Sequence, residues 1–235
     1  MTGHAATAET RALRVREQRR AASPPSPLSA LAVAGLCVLA LAAVWSVAEL
    51  VPAVHLRDAV ALARFTSLSR PSVDSLTEFV LHLLDPVAFV LWGIALVAIA
   101  LAEERPRVAL AIAVVMILAP LSADVLKPLL AHAHDHVSGA RTIGAASWPS
   151  GHATAATVLA MCCVLVSPPR LRGTVAVLGA AFVAAVAFSL LVLAWHMPSD
   201  VLGGILLAGL WMSLAVAALR ASERIRPTRR RSQKA

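Results

Sequence analysis

Trp148-Pro149-Ser150-Gly151-His152, continuing as Ala153-Thr154-Ala155-Ala156-Thr157, marks the junction between a polar loop and an apolar run. Pro149 ends whatever precedes it, Ser150 is an oxygen-bearing N-cap, and Gly151 lets the backbone come close to a ligand. A helix beginning here turns unpaired N–H groups and the positive end of its dipole toward the loop. His152 then stands in its first turn, beside a ready-made anion site. By itself, a Ser-Gly helix start is most often only a cap. A second cluster strengthens the reading: His196-Met197-Pro198-Ser199-Asp200, at another apolar boundary on the same side.

Hydrophobic residues make up 59% of the 235-residue chain, and mean hydropathy is +0.77. A soluble domain of this size has no use for so much apolar surface, so the class is all-α, polytopic and membrane-embedded. Apolar runs at about 28–50, 78–102, 108–130, 151–167, 174–195 and 199–219 predict six transmembrane helices in a bundle. Residues 1–27, with five arginines and a Ser/Pro-rich end, read as a disordered basic cytoplasmic tail, and 220–235 as a second basic tail. The first apolar run is too long and too far from the start for a cleavable signal. Between the first two spans, 54–66 suits a short interfacial helix. Asp85-Pro86 predicts a kink near the outer end of the second span.

Sixteen of the 21 Lys and Arg residues fall in the two tails and in the turns 103–107 and 167–173. The positive-inside rule therefore puts both termini in the cytoplasm of a multi-pass inner or plasma membrane protein. Lys127, Ser150, His152, His196 and Asp200 then face the periplasm or exterior. The net charge of +8 is read as this orientation signal, and nucleic acid is not expected as a partner. Cys37, Cys162 and Cys163 lie inside apolar runs and form no disulfide framework. No internal repeat is visible, which argues against a transporter of inverted repeats.

Charged groups within spans are costly and usually functional. Asp124 and Lys127 share a helical face, either as a neutralising ion pair or as a substrate-facing Lys held by Asp. His196 and Asp200 flank Pro198, which favours the first position of a helix. Asp200 in that first turn can reach back to His196, fix its tautomer and make its other nitrogen the nucleophile. Two His, a carboxylate, a Lys and a helix N-terminus suit phosphoryl transfer. One His attacks phosphorus, the other protonates the leaving oxygen, and amides with Lys127 stabilise the equatorial oxygens.

These residues resemble the type 2 phosphatidic acid phosphatase family, membrane relatives of the vanadium haloperoxidases, with motifs K-x6-R-P, P-S-G-H and S-R-x5-H-x3-D. The second is intact at Pro149-Ser150-Gly151-His152. Ser189, His196 and Asp200 keep the spacing of the third, and Lys127 begins the first. The resemblance covers roughly 78–219. It implies that 28–219 is a six-helix phosphatase-like domain acting on a lipid phosphate or pyrophosphate without a metal or other cofactor. By the same resemblance His196 is the nucleophile, Asp200 its partner and His152 the general acid. Lys127, Ser150 and Gly151 hold phosphate.

Two departures stand out. The first-motif Arg-Pro is His134-Asp135 here, and the third-motif Arg is Leu190. Arginine grips phosphate bidentately in a way that His and Leu do not. Two lost charge-assisted contacts cost several kcal/mol, at roughly 1.5–3 kcal/mol each. Arg141, in the loop before P-S-G-H, is the candidate replacement, and a protonated His134 a weaker one. Two other readings follow. One is a weak or inactive family member that binds phospholipid headgroups. The other is a metal-dependent hydrolase using His132, His134, Asp135 and His136, whose residue types suit Zn²⁺. Chelator sensitivity separates that second reading from the metal-free one.

Overall fold

The computed structural model describes residues 26–131, 143–144 and 146–225. The tail readings at 1–25 and 226–235, Arg141, and the His132–His136 stretch lie outside the described residues. Eight helices are present among those described: α1 Pro27–Leu50, α2 Pro52–Thr66, α3 Pro71–His82, α4 Pro86–Ala102, α5 Pro106–Leu129, α6 Gly151–Val166, α7 Arg172–Val192 and α8 Pro198–Ile225. Six of them open on proline, whose missing N–H is no loss at the first helical position.

The six expected apolar runs correspond to α1, the α3–α4 pair, α5, α6, α7 and α8. The interfacial helix expected at 54–66 is α2. The α3–α4 pair breaks just before Pro86 with a bend of 49°. Trp92 Nε1 donates to the Leu83 carbonyl near this break, at 3.1 Å. α3 starts at Pro71, ahead of the expected 78, because its first turns are amphipathic rather than apolar. α8 runs on to Ile225, beyond the apolar stretch that ends near 219.

By length and composition, α1, α5, α7 and α8 can cross a membrane, and α3–α4 makes a fifth crossing if the bent pair counts as one. α6 is apolar but has 16 residues. That is fewer than the roughly 20 that a hydrocarbon core asks for. The protein is a multi-pass helical membrane protein.

α8 packs against α1, α5 and α6, and α6 against α5, α7 and α8. The contacts are close because the buried residues are small, among them Ala100, Ala119, Ala123, Ala156 and Ala208, all fully buried. Outward-facing Leu39, Ile94, Leu110, Ile117, Val177 and Leu178 are exposed, as expected of side chains facing lipid rather than water.

The two ends of the bundle differ in chemistry. At one end Arg105 donates to the Leu165 and Val166 carbonyls at 3.2 and 3.1 Å, covering the C-terminus of α6. Arg107 donates to the Ser222 carbonyl of α8 at 3.1 Å. A cation there satisfies orphan carbonyls and the negative end of the dipole. The opposite end gathers the last turn of α5, the first turns of α6 and α8, and the end of α7.

Candidate active site

At the start of α8, Asp200 is fully buried and its Oδ2 lies 3.2 Å from His196 Nδ1. The same oxygen accepts from the Met197 amide at 2.9 Å. The i,i+4 pairing read from the sequence therefore forms, and it leaves Nε2 as the imidazole nitrogen free of the carboxylate. Asp200 Oδ1 has no partner among the described residues, so both contacts of the carboxylate fall on Oδ2.

Backbone links this pair to the P-S-G-H stretch. Ser150 N–H donates to the Asp200 carbonyl at 2.9 Å. Ser150 is fully buried, and its Oγ accepts from Ala153 N at 3.3 Å, the N-cap its position predicts. Thr154 Oγ1 donates to the Ser150 carbonyl at 2.8 Å. The Gly151 and His152 amides, in the first turn, have no acceptor within their own helix. Lys127 Nζ, paired with Asp124 Oδ1 at 2.8 Å, lies over this helix start. A Cβ at Gly151 would come within 3.4 Å of that ammonium, so glycine keeps the cation close to the amides.

His152 faces Trp195, the residue before His196, edge to face with ring centroids 5.7 Å apart. The charged groups acting on it are His196, Lys127, Asp85 and Asp124. Sequence reading noted Asp85 only for its proline. Its place at the α3–α4 break brings a further carboxylate toward His152, and no local spacing signals that.

α7 ends in a reversed turn that delivers Trp195 and His196. Trp195 N donates to the Leu190 carbonyl at 2.9 Å and Ala194 N to the Leu191 carbonyl at 3.2 Å, the bonding of a Schellman cap. Ala194 carries the left-handed residue of that cap, at φ 53°. Left-handed backbone costs an L-residue about 1–2 kcal/mol, which glycine escapes at some expense in unfolded-chain entropy. Ala194→Gly is accordingly expected to stabilise the protein by about 0.5–1 kcal/mol, read as a higher unfolding temperature in detergent. A drop would mean that the turn is not left-handed.

Leu190, where the resembled motif has arginine, is fully buried in the main apolar cluster. Ser189 Oγ is spent on the Ala185 carbonyl at 2.9 Å. An arginine at 190 would bury an unpaired charge here. Two glycines missed in the sequence also shape the site. A Cβ at Gly203 would meet the Trp148 indole at 2.7 Å, and one at Gly204 the Ser150 carbonyl oxygen at 2.5 Å. The adjacent Gly pair inside an apolar helix was their signal, since such residues let backbones touch.

A helical membrane bundle with a His–carboxylate pair set against a cation-flanked helix N-terminus is an arrangement whose chemistry suits phosphate. The family model of the PAP2 superfamily matches residues 107–224, half of the chain, and the chain belongs to that superfamily. Lys127, Ser150, Gly151, His152, His196 and Asp200 all fall inside the match. The fold is similar to the crystal structure of "the first transmembrane PAP2 type phosphatidylglycerolphosphate phosphatase" from Bacillus subtilis. That likeness has 19% identity and a TM-score of 0.64, over 84% of this chain and 98% of that one. No curated protein matches the chain. Family membership supports phosphoester hydrolysis of the lipid phosphatase kind in general.

Proposed function

We propose that this protein hydrolyses a lipid phosphate or pyrophosphate at the outer membrane face, through a phosphohistidine at His196. The carrying observation is the 3.2 Å His196–Asp200 pair joined by backbone to the helix start that bears His152 and Lys127. His196 Nε2 attacks phosphorus, and the bond from phosphorus to the leaving oxygen breaks. His152 gives that oxygen its proton. Water then attacks the phosphohistidine, His152 takes the water's proton, and phosphate leaves. The Gly151 and His152 amides and Lys127 hold the equatorial oxygens. Asp200 stabilises the imidazolium formed in the first step. Arg141 is the candidate for the phosphate grip lost at Leu190.

The outward orientation is supported by the bias of basic residues toward the tails and turns. A specific observation favours a second reading, a weak or inactive binder of phospholipid headgroups. Lys127 is partly neutralised by Asp124, and position 190 is apolar and buried.

Purified protein offered phosphatidate and polyprenyl pyrophosphate in EDTA is expected to release phosphate from at least one. Rapid quenching with labelled substrate is expected to trap an acid-labile, base-stable phosphoenzyme. Silence on both substrates moves the reading to the binder. Release that disappears in EDTA moves it to the His132–His136 loop.

A further inference from the structure

The start of α8 is capped from another helix. Met197 precedes the helix, and its side chain has no oxygen to offer the first-turn amides, as Ser, Thr or Asp would have. The donors can be followed one by one. Met197 N–H goes to Asp200 Oδ2 at 2.9 Å, the backward reach of a capping box. Pro198 has no N–H. Asp200 and Val201 donate to the Met197 carbonyl at 3.0 and 3.2 Å. Ser199 is left, and both of its donors go to one atom, Asp58 Oδ2 on α2. The hydroxyl is at 2.6 Å and the amide at 3.3 Å, 141 residues apart in sequence.

We propose that Asp58 is a positioning residue that supplies from α2 the cap acceptor Met197 lacks, and so fixes the turn presenting Asp200 to His196. Its effect on turnover rests on the catalytic reading of that pair. Asp58 is half-buried. Burial pushes its carboxyl above the usual range, the two Ser199 donors pull it down, neighbouring Asp200 raises it and His55 lowers it. With burial the largest of these, a neutral acceptor of the same shape is tolerated. α2 has other anchors in buried Ala59 and Leu62 and in the edge-to-face contact of Phe65 with Phe188, centroids 6.2 Å apart. Removing the carboxylate therefore loosens the cap without undocking the helix.

The test compares Asp58→Ala, Asp58→Asn, Ser199→Ala and the double variant Asp58→Ala/Ser199→Ala in the full-length detergent-solubilised protein. The readouts are kcat and KM for lipid phosphate and the NMR chemical shifts of the His196 ring. Asp58→Ala is expected to lower kcat about tenfold with KM within about twofold, the loss of one cap in free-energy terms. It should also move the His196 ring resonances away from their wild-type positions. Asp58→Asn should stay within about threefold of wild type, and the double variant should be no worse than Asp58→Ala. Ser199→Ala, which removes only the 2.6 Å bond, carries the same test in milder form, with a loss of about threefold. Asp58→Ala or Ser199→Ala with both readouts unmoved overturns the proposal, as do single effects that multiply in the double variant. Should wild type show no turnover, the phosphatase reading fails, and the His196 ring shifts alone decide the role of Asp58.

Discussion

His196→Ala is expected to abolish phosphate release, and Asp200→Asn to lower kcat by about a thousandfold, near 4 kcal/mol of transition-state stabilisation. The second variant is the more informative. Asp200 Oδ2 holds both the Met197 amide and His196 Nδ1. In asparagine, the amide oxygen can take the place of Oδ2 and keep both contacts, with its NH₂ group at the unpartnered Oδ1 position; what is lost is the negative charge beside the imidazole. A neutral amide no longer stabilises the imidazolium that forms as Nε2 attacks phosphorus. KM should stay within about threefold, because the contact acts in the transition state rather than in ground-state binding. Steady-state kinetics beside an unfolding curve measure this. An Asp200→Asn enzyme keeping more than about a tenth of wild-type kcat would reduce Asp200 to a helix cap.

Gly204→Ala is expected to be nearly as damaging, although the residue touches no substrate. The added Cβ would lie 2.5 Å from the Ser150 carbonyl oxygen and 2.9 Å from Ala153 Cβ. The nearest obstacle is backbone, so no rotamer change relieves it, and α6 and α8 must separate by about 1 Å. That displacement strains the Ser150 N–H contact to the Asp200 carbonyl, which ties the two halves of the site together. A shift of this size costs on the order of a hundredfold in rate, and the overpacking about 1–3 kcal/mol in stability. Gly35→Ala on α1 is the control, because a Cβ there meets nothing within 4 Å. Its stability should stay level or rise slightly. Equal effects from the two substitutions would refute close α6–α8 contact as the cause.

Local chemistry made much of this legible in the chain. Apolar runs located the membrane helices, Ser150 marked the start of α6, and the His196-to-Asp200 spacing across Pro198 foretold their hydrogen bond. The start of α3 was hidden because its amphipathic turns from Pro71 dilute the apolar signal. Asp58, Asp85 and Gly204 were hidden for another reason: each acts on a residue far away in sequence, and no periodicity encodes which distant backbone a helix will meet. Leu190 was visible as a departure from a motif. Only packing explains why an apolar side chain suits the position.

The shortness of α6 sets a depth. Its 16 residues rise about 24 Å, against a hydrocarbon core of about 30 Å. With the Arg105-held end at one boundary, the Ser150 end stops about 6 Å inside the other. On that placement the amides and Lys127 lie below the boundary, and a phosphate held there would exchange bulk water for fixed dipoles in a medium of lower dielectric, where each contact is stronger. A molecule tethered in the bilayer by its own tail arrives at that level without first leaving the membrane.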